Sequence, residues 1–162
     1  FNDYVDMPHT PRYFFGHGLS YTTFAYADCQ IENRAVAPDG VVTIIVTVEN
    51  TGAREGTEVV QLYLSDRFAS MARPSMELAG FARVTLPPRR KAAVSFHIEP
   101  SQLAFLDRDM RWLVEAGEID VLVGASAADI RLKDSFIITD SKIIEGKTRA
   151  FWAEASSLLE GA

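Results

Sequence analysis

The stretch Val41–Asp66, VVTIIVTVENTGAREGTEVVQLYLSD, decides the fold of this chain. In its first half, alternate positions place one apolar set on a single face of a strand: Val42, Ile44, Val46 and Val48. The second half repeats the alternation, with Val60, Leu62 and Leu64 opposite Gln61, Tyr63 and Ser65. A period of two in β-branched residues predicts strands with one face in a core. The segment between them, Asn50–Gly56, is too long for a two-residue hairpin and suits a corner between two sheets. Two core strands joined by a corner indicate a β-sandwich.

Five further segments show strand patterns separated by turn signals. They are Thr22–Ile31, Met76–Leu86, Ala92–Ile98, a run from Trp112 to Gly124, and Asp129–Thr139. Gly80 interrupts the second of them and predicts a bulge. Within Asp129–Thr139 the expected core residues are Ile130, Leu132, Phe136 and Ile138. Seven short strands without a long helix between them favour an all-β fold, an immunoglobulin-like or fibronectin-III-like sandwich, over a barrel.

Composition limits the classes of function. The chain has 162 residues, of which 48% are hydrophobic and 23% charged, and this suits one globular domain with its own core. A net charge of −6 argues against a nucleic acid or an anionic membrane surface as partner, because both require clustered Lys and Arg. Apolar runs stay well short of the ~20 residues of a membrane span. The single cysteine, Cys29, is interpreted as a small core residue on a strand.

The two ends of the chain differ from its middle. Residues 1–20 contain Pro8, Pro11 and many aromatic and glycine residues, which predicts an extended linker lying against a surface. Residues 21–139 are assigned to the sandwich. Residues 140–162 form a C-terminal extension, in which Thr148–Leu159 is expected to be either a short helix or a partly ordered segment that awaits a partner.

We find no pattern that predicts catalysis, a metal or a cofactor. Asp107 and Asp109 are interpreted as turn residues, since Asp caps turns through local backbone hydrogen bonds. The three histidines lack metal-ligand spacing: His9, His17 and His97. Ser20 lacks the second glycine of a nucleophile elbow. Catalytic residues are therefore not assigned.

Two surface features allow a functional interpretation beside a structural one. Trp112 follows a charged turn and would stack on a sugar ring if exposed; the preferred interpretation is a tryptophan packed over the sandwich edge, because Trp112 and Val114 alternate as a strand. The loop from Asp66 to Pro74 carries Arg67, Phe68 and Arg73, a composition typical of interfaces. A solvated loop is the alternative. We expect this loop to contact another domain or a second subunit.

The sequence Pro11–Thr22, PRYFFGHGLSYT, resembles the first motif of a known domain, the C-terminal fibronectin type III-like domain of glycoside hydrolase family 3, the β-glucosidases and β-xylosidases. Further similar blocks follow in the same order: Val48–Gly52, Glu58–Tyr63, Arg73–Pro74 with Glu77–Phe81, and Gly117–Val121 with Val123–Ser126. Phe14 and His17 depart from the family, which often has Pro and Tyr there. The resemblance covers nearly the whole chain.

This resemblance implies an accessory role. In the family the nucleophile and the acid/base residue lie in two preceding domains, so no catalytic residue is transferred to this chain. Residues 1–20 would connect it to those catalytic domains, with Tyr13, Phe14 and Phe15 at the interface. The implied function is stabilisation of the catalytic domains, or contact within a homodimer, in an enzyme that acts on β-linked glycosides. A carbohydrate-binding module and a free-standing adhesion domain are the alternatives. Glucoside or xyloside specificity stays open, as does a cytoplasmic, periplasmic or secreted location.

Overall fold

A computed structural model describes residues 10–160 as a β-sandwich. Its strands are β1 (Phe24–Glu32), β2 (Ala35–Val36), β3 (Val42–Asn50), β4 (Gly56–Asp66), β5 (Glu77–Leu86), β6 (Lys91–Ile98), β7 (Phe105–Leu106), β8 (Trp112–Val114), β9 (Gly117–Ser126), β10 (Asp129–Ile138), β11 (Lys142–Ile144) and β12 (Glu154–Leu159). Two short 3₁₀ helices cover Pro100–Leu103 and Gly146–Thr148. The predicted all-β sandwich is confirmed. Seven of the twelve strands in the described residues are long, β1, β3, β4, β5, β6, β9 and β10, and each overlaps a predicted segment, although the predicted run from Trp112 to Gly124 is divided between β8 and β9.

The strands form two main sheets and one small one. The four-stranded sheet has the order β1-β3-β6-β12, and the five-stranded sheet has the order β2-β10-β9-β4-β5. A three-stranded sheet, β11-β8-β7, lies at one end. The pairings are antiparallel except that β2 runs parallel to β10. The chain passes from one main sheet to the other between β3 and β4, as the corner between them predicted.

The core lies between the inner faces of the two main sheets. The predicted apolar face of β3 is fully buried, as are alternate residues of β6: Ala92, Val94, Phe96 and Ile98. Val60, Leu62 and Leu64 of β4 meet them from the other sheet. Burial of this continuous apolar surface is the main stabilising term of the fold. On β10, Phe136 and Ile138 are buried as predicted, whereas Ile130 and Leu132, where the pairing of β10 with β9 shifts register, are half-buried.

The predicted irregularity at Gly80 is a β-bulge. Gly80 pairs with Leu62 and Leu78 with Tyr63, so Ala79 is the extra residue of β5. An extra residue bends an edge strand locally and changes the direction of its neighbouring groups. The bulge faces the start of the last strand, where the backbone N–H of Ala153 donates to the carbonyl of Ala79 at 2.7 Å.

Two alternatives were open for Thr148–Leu159, a short helix or a partly ordered segment, and the structure contradicts the helix. The segment contains a 3₁₀ turn and the strand β12, which pairs antiparallel with β6 from Glu154↔His97 to Leu159↔Ala92. Strand β6 would otherwise be the edge of its sheet, with a row of unpaired N–H and C=O groups. Pairing with that edge outweighs the weak helical periodicity of a short segment.

Candidate interaction surfaces

The N-terminal segment, residues 10–23, lies on the outer face of the five-stranded sheet. The carbonyl of Phe15 accepts a hydrogen bond from the backbone N–H of Ala127 at 3.0 Å. The carbonyl of Gly16 accepts one from Nε2 of Gln61 at 3.1 Å. Residues 10–20, part of the predicted linker, are therefore attached to the sandwich itself. Residues 1–9, the rest of that linker, lie outside the described residues.

Gln61 is the side chain that fixes this segment. Its position on β4 faces outward, yet it is only 4% exposed and Tyr63 beside it only 2%. The Gln61 amide also donates to the carbonyl of Ala125 at 2.6 Å, and its Oε1 accepts from the Tyr63 hydroxyl at 2.6 Å. Gly16 has a positive φ of 79°, and a Cβ added there would collide with the Gln61 amide. Glycine is required at this position both by its backbone conformation and by the close approach.

The aromatic rings of the N-terminal segment point into solvent although its backbone is fixed. Tyr13 is 67% exposed and Phe15 66%, while Phe14 is 41% exposed. The Tyr13 and His17 rings pack against each other with centroids 5.2 Å apart. Leu19 and Tyr21 extend the apolar surface and are each 95% exposed. An ordered backbone that presents several apolar side chains forms a surface suited to protein contact.

A groove of about 620 Å³ runs between this segment and the outer face of β4 and β5. Its apolar walls come from both sides: Phe15, Leu19, Phe24, Val59, Leu78 and Phe81. Charged groups at the groove are paired with one another. Arg131 binds the carboxylate of Asp129 at 2.7 Å and lies 4.8 Å from the Tyr26 ring centre. The Tyr26 hydroxyl donates to Oε1 of Glu58 at 2.9 Å.

Burial sets the titration of this Tyr26–Glu58 pair. It raises the pKa of Tyr26 far above its usual value, with the neighbouring Glu58 charge acting in the same direction. It also raises the pKa of Glu58, and the Tyr26 hydrogen bond and Arg131 only partly oppose that rise. Both shifts follow from the cost of placing a charge away from water.

The loop after β4 separates its predicted interface residues. Arg67 lies on the surface and binds Asp120 at 2.6 Å and Glu118 at 3.3 Å, both on β9. The Arg73 side chain is only 9% exposed and donates to Glu77 at 2.8 Å and to the carbonyl of Leu103 at 2.7 Å. Phe68 is 86% exposed. The two arginines thus make contacts within the domain, and Phe68 is more exposed than the loop's other large apolar side chain, Met71, which is 36% exposed.

Trp112 is half-buried at the end of the sandwich. The guanidinium of Arg149 lies 4.9 Å from the centre of its ring, and Gly146 packs closely against the indole. Trp112 also packs against the core cluster. The residues after β11 therefore cover the face on which a sugar ring would stack.

The other residues considered for chemistry have local roles. Oδ1 of Asp107 accepts hydrogen bonds from the backbone N–H of Asp109 and of Arg111, each at 2.9 Å, which confirms the turn. The bond from the Arg111 backbone is the main reason that the pKa of Asp107 lies below its usual range. Nδ1 of His97 lies 3.2 Å from the Thr43 hydroxyl. His9 lies outside the described residues.

Within residues 10–160 no group of three or more His, Cys, Asp or Glu is arranged to hold a metal ion. The described part of the chain also has no helix that is long and apolar enough to span a membrane.

Comparison with known proteins identifies relatives. Residues 58–127 match the fibronectin type III-like domain family. The periplasmic β-glucosidase of Salmonella typhimurium is 42% identical over 128 residues, which are 79% of this chain and 17% of that protein. A β-xylosidase of Formosa agariphila is 43% identical over 124 residues, 76% of this chain and 17% of that protein. The structure of β-glucosidase 3B from Thermotoga neapolitana superimposes with a TM-score of 0.77 at 35% identity, covering 84% of this chain and 18% of that one. This chain thus spans about a sixth of the length of these relatives.

Proposed function

The chain belongs to the fibronectin type III-like domains found in family 3 β-glucosidases and β-xylosidases, and from that premise we propose that it is a non-catalytic accessory domain. Its role in the proposal is to support the catalytic domains of a longer enzyme. That enzyme hydrolyses β-linked glycosides, and glucosides are the first substrates to test. In this proposal the hydrolysis is carried out by those catalytic domains.

The N-terminal surface carries this proposal. Its backbone is anchored by Gln61 and Ala127 before any partner arrives. A segment whose backbone is already ordered loses less conformational entropy when a partner covers it. Tyr13, Phe15 and Leu19 are each at least 66% exposed. Burying such a set stabilises a contact by roughly 1.5–3 kcal/mol for each fully buried side chain.

Phe68 is proposed as a second contact point. It stands 86% exposed at the tip of a loop whose arginines are bound to the domain. The ion pairs of Arg67 with β9 and the buried contacts of Arg73 hold the loop in position. A second subunit or a catalytic domain is the expected partner of this ring.

The distribution of aromatic residues favours support over carbohydrate binding. Carbohydrate-binding surfaces need aromatic rings that share one plane on an exposed face. Among the described residues, Phe81 is the exposed aromatic side chain on a main sheet. Phe151 and Trp152 are exposed in the C-terminal segment, but their planes are tilted by 44° with centroids 6.4 Å apart. Arg149 covers Trp112.

The test mixes the 162-residue chain with the separately expressed catalytic domains of its parent enzyme. Association, melting temperature and hydrolysis of an aryl β-glucoside are measured together. We expect tight association and a rise in the melting temperature of the catalytic domains. The variant Tyr13→Ala/Phe15→Ala should weaken association at least tenfold, whereas Ile143→Ala, which removes an exposed apolar side chain elsewhere, should not.

The loop is tested in the same assay with two variants. Phe68→Ala should weaken association without lowering the melting temperature of the isolated chain. Arg73→Ala should lower that melting temperature, because its contacts are internal. Failure to associate combined with retention on a β-glucan affinity gel would replace the proposal with a carbohydrate-binding module. Hydrolysis by the isolated chain would overturn it.

A further inference from the structure

Strand β12 is attached to the sandwich in an unusual way. It pairs with β6 over its whole length, yet each of its six side chains is exposed. Its attachment therefore relies on main-chain hydrogen bonds, with little apolar burial of its own. Strands held in this way separate locally from a fold more readily than core strands.

One small side chain just before β12 is buried instead. Ala153 is 6% exposed and its N–H donates to the carbonyl of Ala79 at 2.7 Å. A Cβ added at Gly80 would lie 3.0 Å from the Cβ of Ala153 and 3.5 Å from a ring carbon of Phe96. The bulge at Ala79 and the missing side chain of Gly80 thus form a socket, with Phe96 beside it, that admits a methyl group and has no room for a larger one.

The residues before Ala153 are held by the 3₁₀ helix Pro100–Leu103. Nε2 of Gln102 donates to the carbonyl of Ala79 at 2.6 Å and to that of Phe151 at 3.3 Å. The N–H of Ala150 donates to the Ser101 hydroxyl at 3.1 Å. The Arg149 guanidinium donates to the Gln102 carbonyl at 3.1 Å. These contacts aim the chain into the socket and onto the edge of β6.

We propose that the edge of β6 and the Gly80 socket together form a binding groove for an extended peptide, filled in cis by residues 150–160. Recognition combines strand addition along β6 with one small residue, Ala or Gly, in the socket. The groove accepts the same segment from a second molecule once the resident strand is displaced. While residues 150–160 of the same chain occupy the groove, their high effective concentration prevents a segment from a second molecule from binding.

The first test uses Ala153→Leu in the full chain and measures hydrogen exchange of backbone amides. Leucine does not fit the socket, so exchange in β12 and along the β6 edge should rise at least tenfold while β3 and β9 stay protected. The matched control is Ala155→Leu, since Ala155 is exposed on the same strand. Equal protection of β12 in the two variants would contradict the socket.

The second test adds a fluorescein-labelled peptide with the sequence of residues 148–160. It should bind the Ala153→Leu chain and change its fluorescence anisotropy, but bind the unaltered chain at least tenfold more weakly. A peptide that carries Ala153→Leu itself should not bind either chain. If the Ala153→Leu chain does not bind the unaltered peptide, the groove does not accept a strand from a second molecule and the proposal is wrong.

A compensating pair keeps the proposal testable if Ala153→Leu fails to fold. Gly80→Ala places a methyl group 3.0 Å from Ala153 and should speed exchange in β12. Gly80→Ala/Ala153→Gly restores the space and should return exchange toward that of the unaltered chain. The peptide assay is then run on Gly80→Ala with a peptide that carries Ala153→Gly, which should bind this chain at least tenfold more tightly than the unaltered peptide does. Equal exchange in the single and double variants would show that the two residues are not coupled.

Discussion

Two buried glutamines hold the two ends of this domain, and they do so differently. Gln61 is 4% exposed and binds the N-terminal segment through the Gly16 carbonyl; Gln102 is 6% exposed and binds the C-terminal segment through the Phe151 carbonyl. Both polar ends of the Gln61 amide are bonded, since Tyr63 donates to its Oε1. Oε1 of Gln102 is buried without a hydrogen-bond partner among the described residues.

The two glutamines differ in importance because the two ends of the domain differ in their other contacts. The C-terminal segment has the six paired residues of β12 and the Ala153 socket, so the Gln102 amide adds to an attachment that already exists. The N-terminal segment has no strand pairing before β1 within residues 10–23 and is held by single hydrogen bonds, such as those to the carbonyls of Phe15 and Gly16. It therefore keeps its rings exposed, whereas the C-terminal segment completes a sheet. Buried polar groups should thus matter more on the N-terminal side.

Asn50 provides the strongest test of that expectation. It is fully buried at the end of β3, where its Oδ1 accepts from the Thr22 hydroxyl at 2.7 Å and from the Gly52 N–H at 3.1 Å. Its Nδ2 donates to the carbonyls of Arg54 and Leu86 at 2.7 and 2.8 Å. Asn50→Ala leaves these groups without partners and should lower the free energy of unfolding by about 3–4 kcal/mol in urea titrations. Thr51→Ala, at the same corner, should cost less than about 1 kcal/mol.

Gln61→Leu should have the next largest effect. It removes the bonds to Gly16, Ala125 and Tyr63 and leaves the Tyr63 hydroxyl buried without its acceptor. We expect a loss of about 2–3 kcal/mol, together with faster proteolysis of residues 10–20. Gln30→Leu is the matched control, because Gln30 is exposed on β1. A Gln61→Leu chain as stable as the Gln30→Leu chain would show that the N-terminal segment does not depend on this amide.

Gln102→Leu should cost about 1 kcal/mol or less. The Ala79 carbonyl keeps its bond from the Ala153 N–H, and the bond to Phe151 is long at 3.3 Å. The substitution also removes the buried Oε1 that has no partner among the described residues. Urea titration of the Gln61→Leu and Gln102→Leu chains side by side measures the contrast between the two ends. If Gln102→Leu lowered the free energy of unfolding more than Gln61→Leu does, the expected contrast between the two ends would be wrong.

The inner faces of the sandwich could be predicted from the sequence because they depend on local alternation. Val46, Val94 and Val121 each lie in a run of period two, and all three are fully buried. The bulge at Gly80 was also predictable, since a glycine that interrupts a strand pattern is a local signal. The resemblance to the fibronectin type III-like domains is confirmed by the family match over residues 58–127 and by the β-glucosidase relative that is 42% identical over 128 residues.

The outer contacts could not be predicted because they join residues far apart in sequence. The alternation puts Gln61 on the face opposite Val60, Leu62 and Leu64, and gives no sign that Gly16, 45 residues earlier, returns to bind it. The one available signal was the glycine-rich Phe15–Gly18 stretch. The strand within Thr148–Leu159, where the alternatives were a short helix or a partly ordered segment, was missed for the same reason, since the edge of β6 that binds it is supplied by residues 91–98. The interface role of Phe68 stays a prediction.

The smallest expected effect is a pH dependence of the free energy of unfolding, and it arises from Glu58 on the N-terminal side of the domain. Glu58 lines the groove beneath the N-terminal segment, and burial raises its pKa in the folded chain. The folded state therefore holds the proton more tightly than the unfolded state. The resulting stability is fully present below the ordinary pKa of a carboxyl group and is lost as pH rises through the folded pKa. Glu58→Gln does not titrate, so the stability of the unaltered chain relative to this variant should rise as pH falls from 7 to 4.

Urea titrations at several pH values measure that difference, with the exposed Glu55→Gln as control. Gly16→Ala distinguishes the source of the burial, because a side chain there collides with Gln61 and should lift the segment off the sheet. If the segment buries Glu58, the pH dependence should be smaller in a Gly16→Ala background. An unchanged dependence would mean that β1 and Tyr26 bury the carboxylate by themselves, and that the N-terminal segment only rests on a sheet already complete.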